Sequence, residues 1–544
     1  MNSLIRPIFF AFTGMIILAG CAKKGSPTGG PKDSLAPVAK TFLPDNYSVN
    51  FKGQRIEIDF DEFIKLKKVK EELLVSPPLN YDPVLSPQTS SKTLKVTFID
   101  TLQEETTYVL HFGNSIVDNN EENVLPQFKY VFSTGSYLDS LSLSGQVRSA
   151  TNPELDGPVT VMLYPADQMT DSTIYSIRPR YVATARSSDG AFSLTNLKEG
   201  QYYVLALKEE QKNYTFQKQT DQIGFIDEPI NLPGDSISPL YLFSEEPEFA
   251  WTRGAHAGKN RFVFGYNGLR KNRSVTPLFK TGSDFRYTWT ESQKIDSLNF
   301  WFTPAFDLEA QDTVWFAAET DFGRDSLAIR LKDLYADSLK VNPITRGVFS
   351  PKDSIRFSAN TPIRQIDLEK IQIIDKDSTI IPVQTRLDSL RNVVTLAIGI
   401  KDDNRYQVSF FPEAIRDFFA QTHDTLSYTF KTKPLSDYGT IKLNFNGQTI
   451  CPILIELVDT KQNPVAEAWR KESDGANVYF NYIDPNKYRV RITLDCNENE
   501  LWDTGDYDKK IQPEAVYYLP GLLDIRANWS LNEQYDLTLE LSAE

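Results

Sequence analysis

The sequence predicts an all-β fold, organised as a tandem array of about five β-sandwich domains. The chain has 544 residues, which suffices for four or five domains at roughly 100–150 residues each. Aromatic residues are abundant, with 34 Phe and 25 Tyr against 4 Met, which favours sandwiches over helical bundles. Short apolar stretches alternate with clusters of Asp, Asn, Ser, Gly and Pro, as in short strands joined by turns.

A short apolar segment precedes this array and ends at a cysteine. Residues 1–20 contain one basic residue, Arg6, and an apolar run from Pro7 to Leu18 that is too short to span a bilayer. Small residues stand directly before Cys21. The arrangement resembles the signal peptide of bacterial lipoproteins, which implies cleavage before Cys21 and lipidation of its thiol and new amino terminus. The alternative is an ordinary secretory signal with a chance cysteine.

Residues 21–37 are predicted to form a flexible tether, because Gly, Pro, Ser and Lys cannot build a core. The run at 25–33, Gly-Ser-Pro-Thr-Gly-Gly-Pro-Lys-Asp, is similar to that of Ig-like-domain lipoproteins of Bacteroidota. We therefore expect a lipid-anchored protein of the cell outer membrane. Whether the protein faces the cell exterior or the periplasm stays undecided, although Lys23 and Lys24 stand where surface-export signals of that group carry acidic residues.

Residues 38–136 are the first predicted module. Alternating apolar and polar residues over 55–60 predict a strand with one buried face. Further elements are predicted in order as a short helix at 65–74, strands at 93–98 and 107–112, a turn at 116–120 and a closing strand at 130–135. This order resembles the bacterial Ig-like domain of the SbsA type. Glu121 or Glu122 stands where the turn of that family usually has glycine.

Two later segments repeat one another. Ser188-Asp-Gly-Ala191 recurs as Ser473-Asp-Gly-Ala476, and the segment from Leu197 recurs from Ile483. Asp-Gly and Glu-Gly pairs predict tight turns between strands. Both copies resemble the carboxypeptidase-regulatory, transthyretin-like sandwich, a fold that by itself implies no peptidase activity. These are the predicted second and fifth modules, residues 141–245 and 438–544.

Two modules lie between the copies. Residues 246–340 are predicted to be a β-sandwich with a weaker family resemblance. Residues 341–434 are predicted to be a second Ig-like domain, because their strand patterns echo those of the first module. Internal repetition of this kind indicates an array of modules.

Two cysteines remain after Cys21 is assigned to the anchor. Cys451 and Cys496 both lie in the fifth module, and an exported protein can keep a disulfide. They either pair or remain as two free thiols, because their geometry is not visible in the sequence.

The fifth module also contains the sharpest candidate for a binding site. Side-chain oxygens fall at positions one, three, five, nine and twelve of residues 495–506, and position seven offers a main-chain carbonyl: the set is Asp495, Asn497, Asn499, Leu501, Asp503 and Asp506. Ca²⁺ takes six to eight oxygens, and this spacing matches an EF-hand-like loop. Position six is Glu500 instead of glycine, and position twelve is Asp instead of Glu. The alternatives are a structural Ca²⁺ site and a hairpin loop satisfied by its own backbone.

Catalytic constellations were sought and none is recognised. The three histidines, His111, His256 and His423, are scattered, and no Ser/His/Asp order, phosphate-binding loop or zinc-binding helix motif occurs. Four aromatic residues of the third module are expected mainly in a core instead of a sugar-stacking platform: Tyr287, Trp289, Trp301 and Trp315. The net charge of -14 disfavours nucleic acid as a partner.

These observations favour a non-enzymatic, lipid-anchored envelope protein. We expect a multi-domain scaffold or accessory subunit of an outer-membrane protein complex, such as an assembly or uptake machine. Sandwiches in series would form a long arm with surfaces and strand edges for docking. The alternative is a surface glycan- or matrix-binding lipoprotein, which exposed rows of Trp or a deep pocket at loop ends would favour.

Overall fold

Strands form nearly all of the regular structure, so the all-β prediction is confirmed. The computed structural model describes residues 32–268, 274–306, 312–320, 323–447, 449, 451–471 and 474–540. The signal residues 1–20, Cys21 and the tether as far as residue 31 lie outside the described residues. Among the described residues, the α-helices have four residues each: α1 (Val69–Glu72), α2 (Thr173–Ser176) and α3 (Leu537–Glu540). Within these described ranges, none of the helices combines the length and apolarity that a membrane span requires.

The chain divides into two compact units. Of the described residues, one unit comprises those up to Leu143 with Arg180–Ala183 and Leu194–Glu199, and the other comprises the rest. The first unit therefore contains the first predicted module. The second unit contains most of the second module and all of the third, fourth and fifth.

The first module folds as two facing sheets with an apolar interior. Its strands are β1 (Ala39–Leu43), β2 (Arg55–Leu66), β3 (Leu74–Ser76), β4 (Val84–Ser86), β5 (Ser91–Thr97), β6 (Thr107–His111), β7 (Ile116–Asp118) and β8 (Lys129–Ser133). One sheet has the order β1-β2-β5-β4 with β7 on β2, and the other has the order β3-β6-β8. The expected helix at 65–74 is shorter than predicted, because Ile64–Leu66 extend β2 and pair with β7 while Ile64 is fully buried.

The second module begins a pattern that recurs later. Its strands are β9 (Leu141–Ser149), β10 (Val159–Pro165), β11 (Tyr181–Ala185), β12 (Ala191–Leu197), β13 (Gly200–Lys208), β14 (Gln222–Phe225), β15 (Ile230–Leu232) and β16 (Leu240–Leu242). β13 is central, with β10, β14 and β15 antiparallel to it. β16 runs parallel to β9.

The third module has a core that consists largely of Phe. Its strands are β17 (Ala250–Trp251), β18 (Ala255–Gly258), β19 (Arg261–Asn267), β20 (Val275–Pro277), β21 (Arg286–Glu291), β22 (Ser297–Thr303), β23 (Thr313–Thr320) and β24 (Gly323–Arg330). The sheets have the orders β17-β19-β22-β21 and β20-β23-β24. Phe262, Phe300 and Phe316 are fully buried between them.

The fourth module contains three sheets. Its strands are β25 (Val341–Pro343), β26 (Val348–Phe349), β27 (Ile355–Ala359), β28 (Ile363–Ile366), β29 (Ile371–Ile374), β30 (Gln384–Asp388), β31 (Val393–Ala397), β32 (Arg405–Phe410), β33 (Ile415–Asp417) and β34 (Leu426–Thr432). The orders are β25-β27-β31-β30, β26-β34-β32-β29 and the pair β28-β33.

The fifth module repeats the strand pairing of the second. Its strands are β35 (Gly439–Asn446), β36 (Ile453–Val458), β37 (Pro464–Arg470), β38 (Asn477–Ile483), β39 (Asn486–Leu494), β40 (Val516–Tyr518), β41 (Leu523–Ile525) and β42 (Ser530–Asp536). β39 is central, with β36, β40 and β41 antiparallel to it, and β42 runs parallel to β35. In each copy a long connection follows the same central strand, at residues 209–221 after β13 and at 495–515 after β39.

Candidate functional site

The connection from β39 to β40 holds all the predicted calcium ligands. At its base, Cys496 is joined by a disulfide to Cys451, with 4.8 Å between their Cα atoms. Asp495 is buried at the end of β39. Its carboxylate accepts the backbone N–H groups of Asn499 and Glu500 at 3.2 and 3.1 Å. The first ligand position is therefore aimed into the loop.

Three more of the predicted residues converge. The side-chain amides of Asn497 and Asn499 both donate to Oδ2 of Asp503, at 2.7 Å for Asn499. Hydrogen bonds thus tie positions one, three, five and nine together. Glu514, which the loop spacing does not indicate, also reaches these residues: its carboxylate accepts the N–H groups of Cys496 and Asp503, each at 3.2 Å. Burial raises the pKa of Glu514 despite these hydrogen bonds.

The remaining two predicted ligands are Asp506 and Leu501. The carboxylate of Asp506 bonds Lys509, accepting its backbone N–H at 3.1 Å and its ammonium at 2.6 Å. Leu501 is 60% exposed, and its N–H donates to Asn499 Oδ1. Across the described ranges, no group of three or more His, Cys, Asp or Glu is arranged to hold a metal ion. The side chains of Asn497 and Asn499, which supply oxygens in the predicted set, are not among those four residue types.

At its sixth position the loop turns without glycine. Glu500, at the sixth position, has φ 64°, and Glu498 has φ 57°. Both values lie in the left-handed region, which costs a residue with a Cβ roughly 1–2 kcal/mol. The backbone therefore adopts at position six the conformation for which glycine is usual in such loops.

Residues 504–512, the second half of the connection, pack against the second module, and we call this contact the clasp. Thr504 donates its hydroxyl to the carbonyl of Ser244 at 2.6 Å, and the N–H of Tyr507 donates to Glu245 Oε1 at 2.6 Å. The ring of Tyr507 is buried and meets Phe225 edge-on, with 5.1 Å between ring centroids. The second and fifth modules thus touch directly, which corrects the expectation of modules in simple series.

Charged groups close the side of the clasp. Asp508 accepts hydrogen bonds from the ammonium of Lys218 and, at 2.7 Å, from the hydroxyl of Tyr175. Burial by itself raises the pKa of Asp508, but these hydrogen bonds hold it below its ordinary value. Burial lowers the pKa of Lys218, whereas Asp508 and Glu245 raise it by more, so the net shift is upward.

The fifth module also carries a groove of about 560 Å³. Its walls are β37 and β38, each the last strand of its own sheet, and Lys352 of the fourth module adds to its lining. Three large side chains in its lining are solvent-exposed: Val465 at 42%, Tyr479 at 57% and Tyr482 at 36%. In the described part of the chain, no strand pairs with the outer edge of β37 or β38.

The histidines have structural partners. The Nδ1 atom of His256 accepts the N–H of Lys332, and Nε2 of His423 accepts the N–H of Ile415. Nδ1 of His111 accepts the N–H of Gly113 at 3.3 Å, and burial lowers the pKa of His111. Each imidazole thus accepts a backbone N–H.

The aromatic cluster of the third module divides between core and surface. Trp301 is 2% exposed and donates to the hydroxyl of Thr290, and Trp289 packs against the core. Tyr287 and Trp315 are about half exposed, at 51% and 50%. The expectation of a core role therefore applies to two of the four residues.

Comparison with known proteins gives one family match. Residues 33–134 match the family model described as a bacterial Ig-like domain. A search of curated proteins finds no match. Similar solved structures include domains 1–6 of the surface layer protein SbsC (10% identity, 90% of this chain and 67% of that chain, TM-score 0.17). Another is the titin fragment I67–I69, with 9% identity over 53% of this chain and 99% of that chain and a TM-score of 0.12. A third is the Bacillus anthracis TIE protein, with 9% identity over 94% of this chain and 76% of that chain and a TM-score of 0.13. TM-scores this low carry no argument about function. Residues 33–134, which include most of the first module, are therefore similar to bacterial Ig-like domains.

Proposed function

We propose that this protein is a non-enzymatic, lipid-anchored scaffold that serves as an accessory subunit of an outer-membrane protein complex. The observation that supports this most is the groove between β37 and β38. Two open sheet edges meet there beside exposed Val465 and Tyr479. An exposed edge presents a row of unpaired N–H and C=O groups, which native proteins usually cover or block.

The occupant that fits this groove is an extended segment of the partner protein. Such a segment adds a strand to the sheet, and its main-chain hydrogen bonds supply affinity while alternate side chains enter the groove. Pro464 at the start of β37 cannot donate a hydrogen bond, so we expect pairing along the later part of the strand. The exposed rings of Tyr479 and Tyr482 then cover the apolar side chains of the segment.

Co-purification from native membranes in mild detergent, with quantitative mass spectrometry, tests the proposal. The variant V465K/Y479K places two charges in the groove. The control is Tyr335→Lys, because Tyr335 is 96% exposed and lies outside the groove. We expect the same outer-membrane protein with the wild type and the control, and its loss with the double variant. Recovery of no membrane partner, or equal recovery with all three proteins, contradicts the proposal.

The anchor is proposed from Cys21, at the end of the apolar segment. A single acyl chain binds a membrane only marginally, whereas two or more give stable attachment. Fractionation of cells that express the wild type or Cys21→Ser tests this, and we expect the wild type in the outer membrane and the variant in the soluble fraction. Protease digestion of intact cells then distinguishes the extracellular from the periplasmic face.

We also propose that the loop binds a structural Ca²⁺ through Asp495, Asn497, Asn499 and Asp503, with the Leu501 carbonyl. Oxygen donors of this kind suit a hard cation. Calorimetry on the full chain should show Ca²⁺ binding that D495A/D503A abolishes. Because Lys509 occupies the carboxylate of Asp506, Asp506→Ala should bind with unchanged affinity. If neither the wild type nor the double variant binds Ca²⁺, the proposed site is refuted.

A further inference from the structure

The groove between β37 and β38 is irregular at one end, because both of its walls contain a β-bulge there. In β37 the extra residue is Val465, and in β38 the pairing with β35 shifts at Asn481 and Tyr482. Tyr482 has φ 59°, in the left-handed region that a residue with a bulky side chain rarely adopts. Bulges at a sheet edge terminate pairing and re-aim side chains. A strand added to either wall can therefore pair with the regular part of that wall but not past the bulge.

The fourth module meets the fifth at this bulged end. Lys433 lies 2.8 Å from a carboxylate oxygen of Asp484, the residue that follows β38. A turn of the fourth module places Lys352 in the lining of the groove. Two hydrogen bonds fix that turn: Asp353 donates its N–H to the carbonyl of Ser350 at 2.9 Å, and Ser350 donates its N–H to the carboxylate of Asp353 at 3.1 Å. Lys352 is exposed and makes no ion pair with any described residue, so its ammonium is available to a carboxylate from outside the chain.

Glu467 lies farther along β37 and carries the opposite charge. It lines the groove, is exposed and makes no ion pair within the described part of the chain. In the ladder it stands directly opposite Glu456, and like charges in that arrangement repel each other. The guanidinium of Arg491 binds both carboxylate oxygens of Glu456, at 2.6 and 2.8 Å. Arg491 thus neutralises Glu456, and the charge of Glu467 is left for a cation of the partner.

The two unpaired charges are separated by a short length of strand. Glu467 is two residues beyond the bulge at Val465, which corresponds to about 7 Å at roughly 3.3 Å per residue. An extended segment that reaches from Lys352 to Glu467 therefore needs its acidic and basic residues about two to four positions apart. The exposed side chains of Val465 and Tyr479 line the groove beside these charges and suit apolar residues of the same segment.

These features define the segment more closely than an open sheet edge does. We propose that the groove selects an extended segment of the partner protein with an acidic residue at the bulged end, on Lys352, and a basic residue on Glu467. The order of the charges fixes the direction of the segment, because a reversed segment would bring like charges together. This inference rests on the proposed function, since it requires a protein segment in the groove.

Photo-cross-linking in native outer membranes reads the sequence of the segment. The photoreactive residue p-benzoylphenylalanine replaces Tyr479, which is 57% exposed in the groove. Mass spectrometry of the adduct then identifies the cross-linked segment of the partner. We expect it to contain an acidic and a basic residue about two to four positions apart. A cross-linked segment without that pair overturns the proposal.

Charge reversal measures each contact separately. Lys352→Glu and Glu467→Lys should each lower the recovery of the partner about 2- to 30-fold, because each replaces an attraction at the rim of the interface with a repulsion. The matched controls are Lys431→Glu and Glu369→Lys, which reverse exposed charges of the fourth module outside the groove. Recovery with both controls should equal that of the wild type.

The reciprocal change in the partner completes the test. Replacement of the acidic residue of the segment by Lys should restore binding to Lys352→Glu and weaken binding to the wild type. Absence of this rescue overturns the proposal. Loss of the partner with V465K/Y479K but full recovery with Lys352→Glu and Glu467→Lys also overturns it and leaves the proposed function standing. Recovery of no membrane partner by the wild type overturns both.

Discussion

Gly505 offers a way to disturb the clasp without deleting any of its contacts. A Cβ built on this residue would lie 2.4 Å from Cζ of Phe243 and 2.7 Å from the carbonyl oxygen of Ile511. Real Cβ contacts are essentially never shorter than 3.0 Å. The ring of Phe243 is only 2% exposed and cannot swing into solvent. Gly505→Ala therefore forces either the loop or the ring to move.

The cost follows from the packing of the site. Adding a methyl group to a well-packed interior typically costs about 1–3 kcal/mol, and the short contact with backbone at Ile511 opposes relaxation. The amide of Tyr507 reports this locally, because it donates to Glu245 at 2.6 Å within the clasp. If it exchanges through local opening, its rate should rise roughly 5- to 150-fold.

Hydrogen exchange measured by NMR or mass spectrometry over residues 504–512 is the assay. Gly399→Ala is the matched control, because a Cβ there meets nothing within 4 Å and its φ is not positive. Amides in the first module should exchange at wild-type rates in both variants. Wild-type exchange at Tyr507 in Gly505→Ala, or an equal increase in Gly399→Ala, would refute the packing argument.

Three further predictions concern the loops. Glu500→Gly should raise the free energy of unfolding of the fifth module by about 1 kcal/mol, as measured by denaturation, because it relieves a left-handed φ; a loss would contradict this. The contribution of Asp508 to the clasp should be full above pH 3.8 and lost as the pH falls through its lowered pKa, and that of Lys218 should be full below pH 10.5 and lost as the pH rises through its raised pKa. Protection factors of the clasp amides, which correct for the intrinsic pH dependence of exchange, that stay constant with pH would refute both. Asp118→Ala should destabilise the first module by about 1–3 kcal/mol or more in chemical denaturation, because Asp118 accepts four backbone N–H groups. Asp118→Asn should lower the free energy of unfolding by less. An Asp118→Ala variant with wild-type stability would contradict this.

The prediction of the fold class rested on local sequence patterns. The alternation over Arg55–Phe60 identified a strand because a half-buried strand repeats every two residues. The Asp-Gly pair at 189–190 predicted a turn, and Gly190 there has φ 69°, where a Cβ would lie 1.9 Å from the carbonyl oxygen of Val147. The helix at 65–74 was misjudged because pairing with β7, remote in sequence, outweighs local helix propensity.

The candidate sites also divide into residues that the local sequence indicates and residues that only the folded chain brings together. The spacing from Asp495 to Asp503 was visible because its members lie in one loop, where the sequence alone sets their order. Glu514 was missed because it reaches the loop only through the register of β39 with β40. The clasp could not be predicted, because Thr504 and Tyr507 meet Ser244 and Glu245, which lie about 260 positions earlier in the chain.

The sequence by itself determined the all-β class, the repeated second and fifth modules and the oxygen-rich loop, because strand alternation, turn residues and local spacing act over a few neighbours. Only the tertiary structure decided that the second and fifth modules meet at the clasp, and that Glu514 comes to lie beside Cys496 and Asp503. Those relations depend on packing between residues that are up to several hundred positions apart, and on burial that determines which polar groups find partners.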